Sequence, residues 1–250
     1  MKIKFLSNIN DKRVDSFRNL IVEKFPQLFD EKDPELYLVA GGDGAMLHAI
    51  QETIDHKIPY IGKAMGTFNF LMNKIDDDES FLNRLINDEI KFETFKSNAI
   101  VAYLNEKKIG ESVNDVILGN KIMDYHSFSI STKSGDFSDF KLKGSGLCIS
   151  TPIGSTAFNY NNNGRILPIN ADFLSITGVV SNRFLNDIVP FEKISIKSNG
   201  SNIYLTNVDA GILKEGDELI LEKGTRIKIA FLDKKDFLKR RIEIGHRYRK

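Results

Sequence analysis

Cysteine is nearly absent from this chain. Cys148 stands alone among 250 residues, so no intrachain disulfide can form and no multi-cysteine zinc site is possible. Such a chain suits a reducing compartment, and the cytoplasm is the expected location. Long apolar runs are also missing: none approaches the roughly 20 residues that cross a bilayer. Residues 1–7 reach Asn8, Asn10 and Asp11 before the apolar segment of a signal peptide could form. Charge of one sign is lacking too, with 35 Lys and Arg against 34 Asp and Glu, a net +1. No global field then favours nucleic acid or anionic lipid as a partner. His48, His56, His126 and His246 are scattered, without the paired spacing of a metal-binding helix. No repeat, low-complexity tract or long linker interrupts the chain.

What the chain does contain, 41% apolar and 28% charged residues, supports a folded core. Its patterning changes once. Residues 1–95 alternate strand-like segments (3–7, 35–40, 59–62) with helix-like ones (14–25, 45–53), which predicts an α/β domain with a parallel sheet and crossover helices. The acidic run Asp76-Asp77-Asp78-Glu79 reads as the start of a third helix carrying Phe81, Leu82, Leu85 and Ile86. Residues 96–232 read as a mainly β domain, with short strands at 99–104, 113–118, 128–132, 137–143, 147–150, 194–197, 219–222 and 226–231. Turn chemistry at 105–108, 198–201 and 214–217 separates them. The tail 233–250, with basic Lys239-Arg240-Arg241 and Arg247-Tyr248-Arg249-Lys250, is expected to be solvated, to form a subunit contact or to pack back on the first domain.

Two segments carry chemistry. In the first, an apolar strand runs into Gly41-Gly42-Asp43-Gly44 and then a helix. Glycines let backbone approach a ligand, and the helix start presents unpaired N–H groups to an anion. A carboxylate there repels phosphate unless a cation or a proton-transfer task balances it, and activation of a hydroxyl would be such a task. The alternative is an ordinary turn with Asp43 capping the helix. The turn matches neither the dinucleotide-binding fingerprint nor the phosphate-binding loop with its Gly-Lys-Ser/Thr. The second segment clusters glycines and hydroxyls about one proline, Gly144-Ser145-Gly146-Leu147-Cys148-Ile149-Ser150-Thr151-Pro152-Ile153-Gly154-Ser155-Thr156-Ala157-Phe158-Asn159. Ser155 and Thr156 can cap a helix or hydrogen-bond a nucleotide. Cys148, in an apolar strand, reads as packing and not as a nucleophile.

Together these segments resemble the NAD kinase family. Gly62-Lys63-Ala64-Met65-Gly66-Thr67-Phe68-Asn69-Phe70-Leu71 is similar to the family's glycine-rich segment, and Val113-Asn114-Asp115-Val116 to its Asn-Glu motif. The resemblance implies phosphoryl transfer from ATP or polyphosphate to the adenosine-ribose 2′-hydroxyl of NAD, giving NADP, with Asp43 as proton acceptor. It implies Mg2+ or another divalent cation held through the donor phosphates, with no dedicated protein ligands, and a homodimer or homotetramer. It implies that Asp43, Gly44, His48, Asn114, Asp115, Lys143, Ser145, Thr156, Ala157, Phe158, Asn159, Asn161 and Gly178 contact NAD. Gly41, Gly42, Gly44, Gly154, Ser155 and Asp209 would meet the donor phosphates.

The chain departs from that pattern at Ala45 (for Thr), Asp115 (for Glu), Ser145 (for Asp) and Phe158 (for Tyr), each removing or shortening a polar contact. Two rivals follow: a nucleotide-binding homologue without turnover, and a lipid kinase sharing the glycine turn. The segment 150–159 and the lack of a basic amphipathic face speak against the lipid kinase.

Overall fold

The computed structural model describes residues 1–7, 10–54, 57–66, 69–120 and 124–233. The expected tail from 234 onward, His56, His246, Thr67 and Phe68 lie outside the described residues. The chain forms two compact units, Met1–Lys96 with Ile227–Lys250, and Ser97–Arg226.

The first unit alternates strand and helix: β1 (Ile3–Phe5), α1 (Lys12–Lys24), β2 (Leu36–Gly41), α2 (Asp43–Thr53), β3 (Tyr60–Ala64) and α3 (Asp78–Ile86). Neighbours β1, β2 and β3 pair in parallel, Ile3 with Leu36 and Leu38 with Ile61. Every residue of β2 is buried, as expected of a strand covered on both faces. The acidic run does start a helix: the Asp77 carboxylate accepts the Ser80 N–H at 2.9 Å, and Asp78 and Glu79 occupy the first turn. Val14, Phe17 and Ile21 of α1 and Phe81, Leu82 and Leu85 of α3 pack into one core with the sheet.

The second unit is built of antiparallel strands. They are β4 (Glu93–Leu104), β5 (Lys107–Ser112), β6 (Asp115–Gly119), β7 (His126–Thr132), β8 (Phe140–Ser150), β9 (Phe173–Ser181), β10 (Asn186–Pro190), β11 (Ile194–Ser198), β12 (Ser201–Leu205), β13 (Val208–Leu213) and β14 (Leu219–Phe231). A four-residue helix, α4 (Phe158–Asn161), follows β8. Strands run in the order β11, β7, β8, β6, β12, β13, with β9 also on β8. Their inward residues form a second core that includes Phe128, Ile149, Ile176 and Leu219.

Three findings differ from the sequence reading. Segments 137–143 and 147–150 are not two strands; residues 140–150 form one, running straight through Gly144-Ser145-Gly146. Those glycines mark close strand packing, since a Cβ at Gly146 would lie 2.6 Å from the Leu118 carbonyl oxygen and one at Gly144 2.9 Å from Ser181 Cα. Segments 219–222 and 226–231 are likewise one strand, β14. Its end, Ile229–Ala230, pairs in parallel with β3, so 227–231 belongs to the first unit. Asn73 fastens it there, donating to the Gly62 and Ala230 carbonyls and accepting the Leu232 N–H.

Candidate active site

The glycine turn sits where β2 gives way to α2. Gly42 is the N-cap residue and offers no side chain, and Asp43 is the first residue of the helix. The Asp43 carboxylate does not cap its own helix. Its Oδ2 accepts the Phe70 N–H at 2.8 Å and its Oδ1 the Leu71 N–H at 2.7 Å, so the loop after β3 orients the acid. The capping alternative is thereby set aside. The same loop presses on the turn: the Met65 N–H donates to the Gly41 carbonyl at 2.7 Å, and a Cβ on Gly66 would lie 3.2 Å from Gly42 Cα. Gly41 has φ of 146°, a conformation that excludes side chains. Gly44 differs, because a Cβ there would meet nothing within 4 Å and the residue is exposed. No described atom demands a glycine at 44, which stands in the first turn of an eleven-residue helix. His48, one turn on, is exposed and lies 3.4 Å from Glu52.

In the second unit Asn114 and Asp115 stand where β6 begins, 6% and 1% exposed. Asn114 Nδ2 donates to Asp115 Oδ2 at 3.2 Å, which leaves Asn114 Oδ1 and Asp115 Oδ1 buried without hydrogen-bond partners. Each such acceptor costs about 1–3 kcal/mol. Burial pushes the Asp115 carboxyl up to about 7. The segment after β8 folds directly against this pair. The Thr151 N–H donates to the Asn114 carbonyl and Thr151 Oγ1 to the Val113 carbonyl, while a Cβ on Gly154 would lie 2.0 Å from the Asn114 carbonyl oxygen. Sequence positions some 40 apart are thus joined by Gly154, which is glycine because backbone occupies its side-chain space.

The other expected residues divide by accessibility. Phe158 is 39% exposed and Asn161, Lys143 and Asp209 are exposed, with Thr156, Ala157 and Gly178 half-buried. Ser155 and Asn159 are fully buried. The Ser155 hydroxyl donates to the Pro152 carbonyl and accepts the Leu167 N–H. The Asn159 amide donates to the Ser155 and Arg165 carbonyls and accepts from Ser175 Oγ. Both side chains shape the loop from inside. The space beside Gly178 is taken by Ser181 Oγ, 2.5 Å from where a Cβ would sit, so its bareness serves strand packing. Ser145 is 5% exposed, and the Asp209 carboxylate accepts the Gly211 N–H. Cys148 is fully buried beside Asp115, with its thiol pushed well above the ordinary range by burial. Among the described residues no group of three or more His, Cys, Asp or Glu could hold a metal ion, and no helix is long and apolar enough to cross a membrane.

Sequence reasoning missed the groups that hold the acids in place: the backbone of Phe70 and Leu71 for Asp43, and Ser112 and Thr206 for Asn114 and Asp115. Backbone donors 27 and 28 positions away and a hydroxyl 92 positions away leave no local signature.

Comparison with known proteins agrees with this geometry. Residues 6–90 match the family model described as the ATP-NAD kinase N-terminal domain. NAD kinase of Rickettsia bellii is 29% identical over 184 residues, covering 73% of this chain and 70% of its own. NAD kinase of Rickettsia africae is 28% identical over 191 residues with the same coverage. Among solved structures, yeast NADH kinase complexed with NADH superimposes with a TM-score of 0.78 at 16% identity, covering 97% of this chain and 86% of its own. An NAD kinase from Archaeoglobus fulgidus in complex with ATP gives a TM-score of 0.70 at 15% identity, covering 98% of both chains. At those identities the two structures speak for the fold alone, while the matched N-terminal domain and the curated relatives support the NAD kinase family as what this chain is similar to.

Proposed function

We propose that the protein transfers the terminal phosphoryl group of ATP to the adenosine-ribose 2′-hydroxyl of NAD, with Asp43 as the proton acceptor. The observation that carries this reading is the Asp43 carboxylate, fixed by backbone N–H groups of Phe70 and Leu71 beside the exposed Gly44. In the reaction the 2′-hydroxyl gives its proton to an Asp43 carboxylate oxygen as its own oxygen bonds to the γ-phosphorus. The bond from that phosphorus to the β,γ-bridging oxygen breaks, and ADP leaves. Gly41, Gly42 and Gly44 put backbone within reach of the donor phosphates. A divalent cation, Mg2+ for preference, neutralises those phosphates and is held through them.

NAD binding falls to the second unit in this reading. Amino and hydroxyl hydrogens of the adenosine portion would satisfy Asn114 Oδ1 and Asp115 Oδ1, and the exposed ring of Phe158 offers a stacking face. Thr156, Ala157, Asn161, Lys143, Ser145, Gly178 and His48 complete the expected surroundings of NAD, and Asp209 those of the donor. Cytoplasmic location and a homodimer or homotetramer belong to the same proposal.

The test is purified protein with NAD, ATP and Mg2+, scored for NADP beside Asp43→Asn. Product in the parent and its loss in the variant are expected. NAD binding without product in the parent would indicate a non-catalytic homologue, a result to which Ala45, Asp115, Ser145 and Phe158 would then be the guide.

A further inference from the structure

The two-residue turn between β12 and β13, Thr206-Asn207, has both residues in the left-handed region, φ 45° and 69°. Turns of that kind favour Asn, Asp and Gly. Asn207 suits its place, but Thr206 is β-branched and sits against its conformational preference.

Its hydroxyl has a definite use. Thr206 Oγ1 accepts the Asn114 N–H at 3.3 Å and lies 2.6 Å from Ser112 Oγ, itself fully buried. Ser112 donates its only proton to the Asp115 carbonyl at 2.5 Å, so the proton between the two hydroxyls must come from Thr206. The Thr206 backbone N–H also donates to the Asp115 carbonyl, at 3.1 Å. One turn residue therefore closes on both ends of the Asn114-Asp115 dipeptide, its leading N–H and its trailing C=O. From the opposite direction Thr151 and Gly154 fix the carbonyl between them. The Asn114 N–H and both carbonyls of the dipeptide are thus engaged, whereas the two buried side-chain Oδ1 atoms have no hydrogen-bond partner.

We propose that Thr206 is a positioning residue for the acceptor nucleotide: its hydroxyl, with Ser112, locks the Asn114-Asp115 backbone so that the two side-chain oxygens are preset for NAD. This rests on the reading that Asn114 and Asp115 bind NAD. Asparagine or glycine would suit the turn better but would lack the hydroxyl that reaches both Ser112 and Asn114.

The test is calorimetric titration of NAD and, separately, of ATP into the parent, Thr206→Ser, Thr206→Val, Thr206→Gly and Asn114→Ala, with a melting curve for each. Valine keeps the strained branch without the hydroxyl, and glycine removes both. Expected is a rise of about threefold to tenfold in the NAD Kd for Val and Gly alike, the effect of one or two neutral hydrogen bonds. Gly should melt above Val because it is at ease at positive φ. Serine should restore NAD affinity to within about twofold of the parent, and ATP affinity should not move. NAD affinity that simply follows melting temperature would reduce Thr206 to a structural residue and overturn the proposal. Parental affinity in Val and Gly, with Asn114→Ala weakened, would overturn the clamp alone. Parental affinity in Asn114→Ala would overturn the reading beneath it.

Discussion

Asp43 and Asp115 carry the same carboxyl group in opposite surroundings. Asp43 is half-buried and takes two backbone N–H bonds, whereas Asp115 is 1% exposed with one oxygen unpartnered. For Asp43→Asn we expect NADP formation to fall by at least about a hundredfold, the usual contribution of a positioned base, in a coupled NADP assay. The amide must also turn its NH2 toward one of two backbone donors, so unfolding free energy should drop by about 1–3 kcal/mol in a denaturant titration. For Asp115 the sign runs through linkage. Burial lifts its folded value to about 7 from a reference of 3.8. Between those values the native state binds more protons than the unfolded chain, so the group's contribution to stability declines as pH rises through that window. Above pH 7 the burden is at most roughly 4 kcal/mol. Asp115→Asn should therefore melt above the parent at pH 8, with the gap closing toward pH 4. A gap independent of pH would refute this.

At the scale of elements, glycines that look alike in sequence do different things. Gly44 begins a helix in open space, while Gly154 lies against the backbone of Asn114. Gly44→Ala should leave the fold as stable as the parent, or stabilise it by up to about 1 kcal/mol through helix propensity. On the proposed reading it should nevertheless slow phosphoryl transfer, because a methyl would stand where the proposal puts the donor phosphates. Gly154→Ala should do the reverse in order of cause, destabilising by about 1–3 kcal/mol or more through overpacking and losing NAD affinity with it. Melting curves set beside steady-state rates separate the two. The same ambiguity explains the sequence reading of 137–150 as two strands. Gly144 and Gly146 look like punctuation, yet they let β6, β8 and β9 close up, and only the neighbouring strand decides between those meanings. The strands β5, β9, β10, β12 and β13 carry polar or small residues such as Ser175, Thr177 and Gly178, which dilute the alternation that marks a strand.

Over the whole molecule the chain begins one unit, completes a second and returns to the first. Ile227, Ile229, Ala230 and Phe231 are at most 1% exposed in the first unit. Ending the chain after residue 226 should cost that unit several kcal/mol, since each fully buried large side chain contributes roughly 1.5–3 kcal/mol. Loss of amide protection in β3 on hydrogen exchange would register it. Chelation should act otherwise: with no acidic or histidine cluster among the described residues to hold an ion, EDTA should stop turnover without moving the melting temperature. A fall of several degrees on chelation would point to a resident metal instead. The amino-acid order by itself determined the alternation of strand and helix in the first unit, the β character of the second and a helix start in the acidic run 76–79. These follow from periodicity, glycine and capping chemistry, which act over a few residues. Only the tertiary structure decided that Asp43 is held by Phe70 and Leu71, that Ser155 and Asn159 face inward, and that residues 112, 114, 154 and 206 meet at one point. Hydrogen-bond partners and excluded volume are properties of atoms brought together from distant parts of the chain, and no local pattern encodes them.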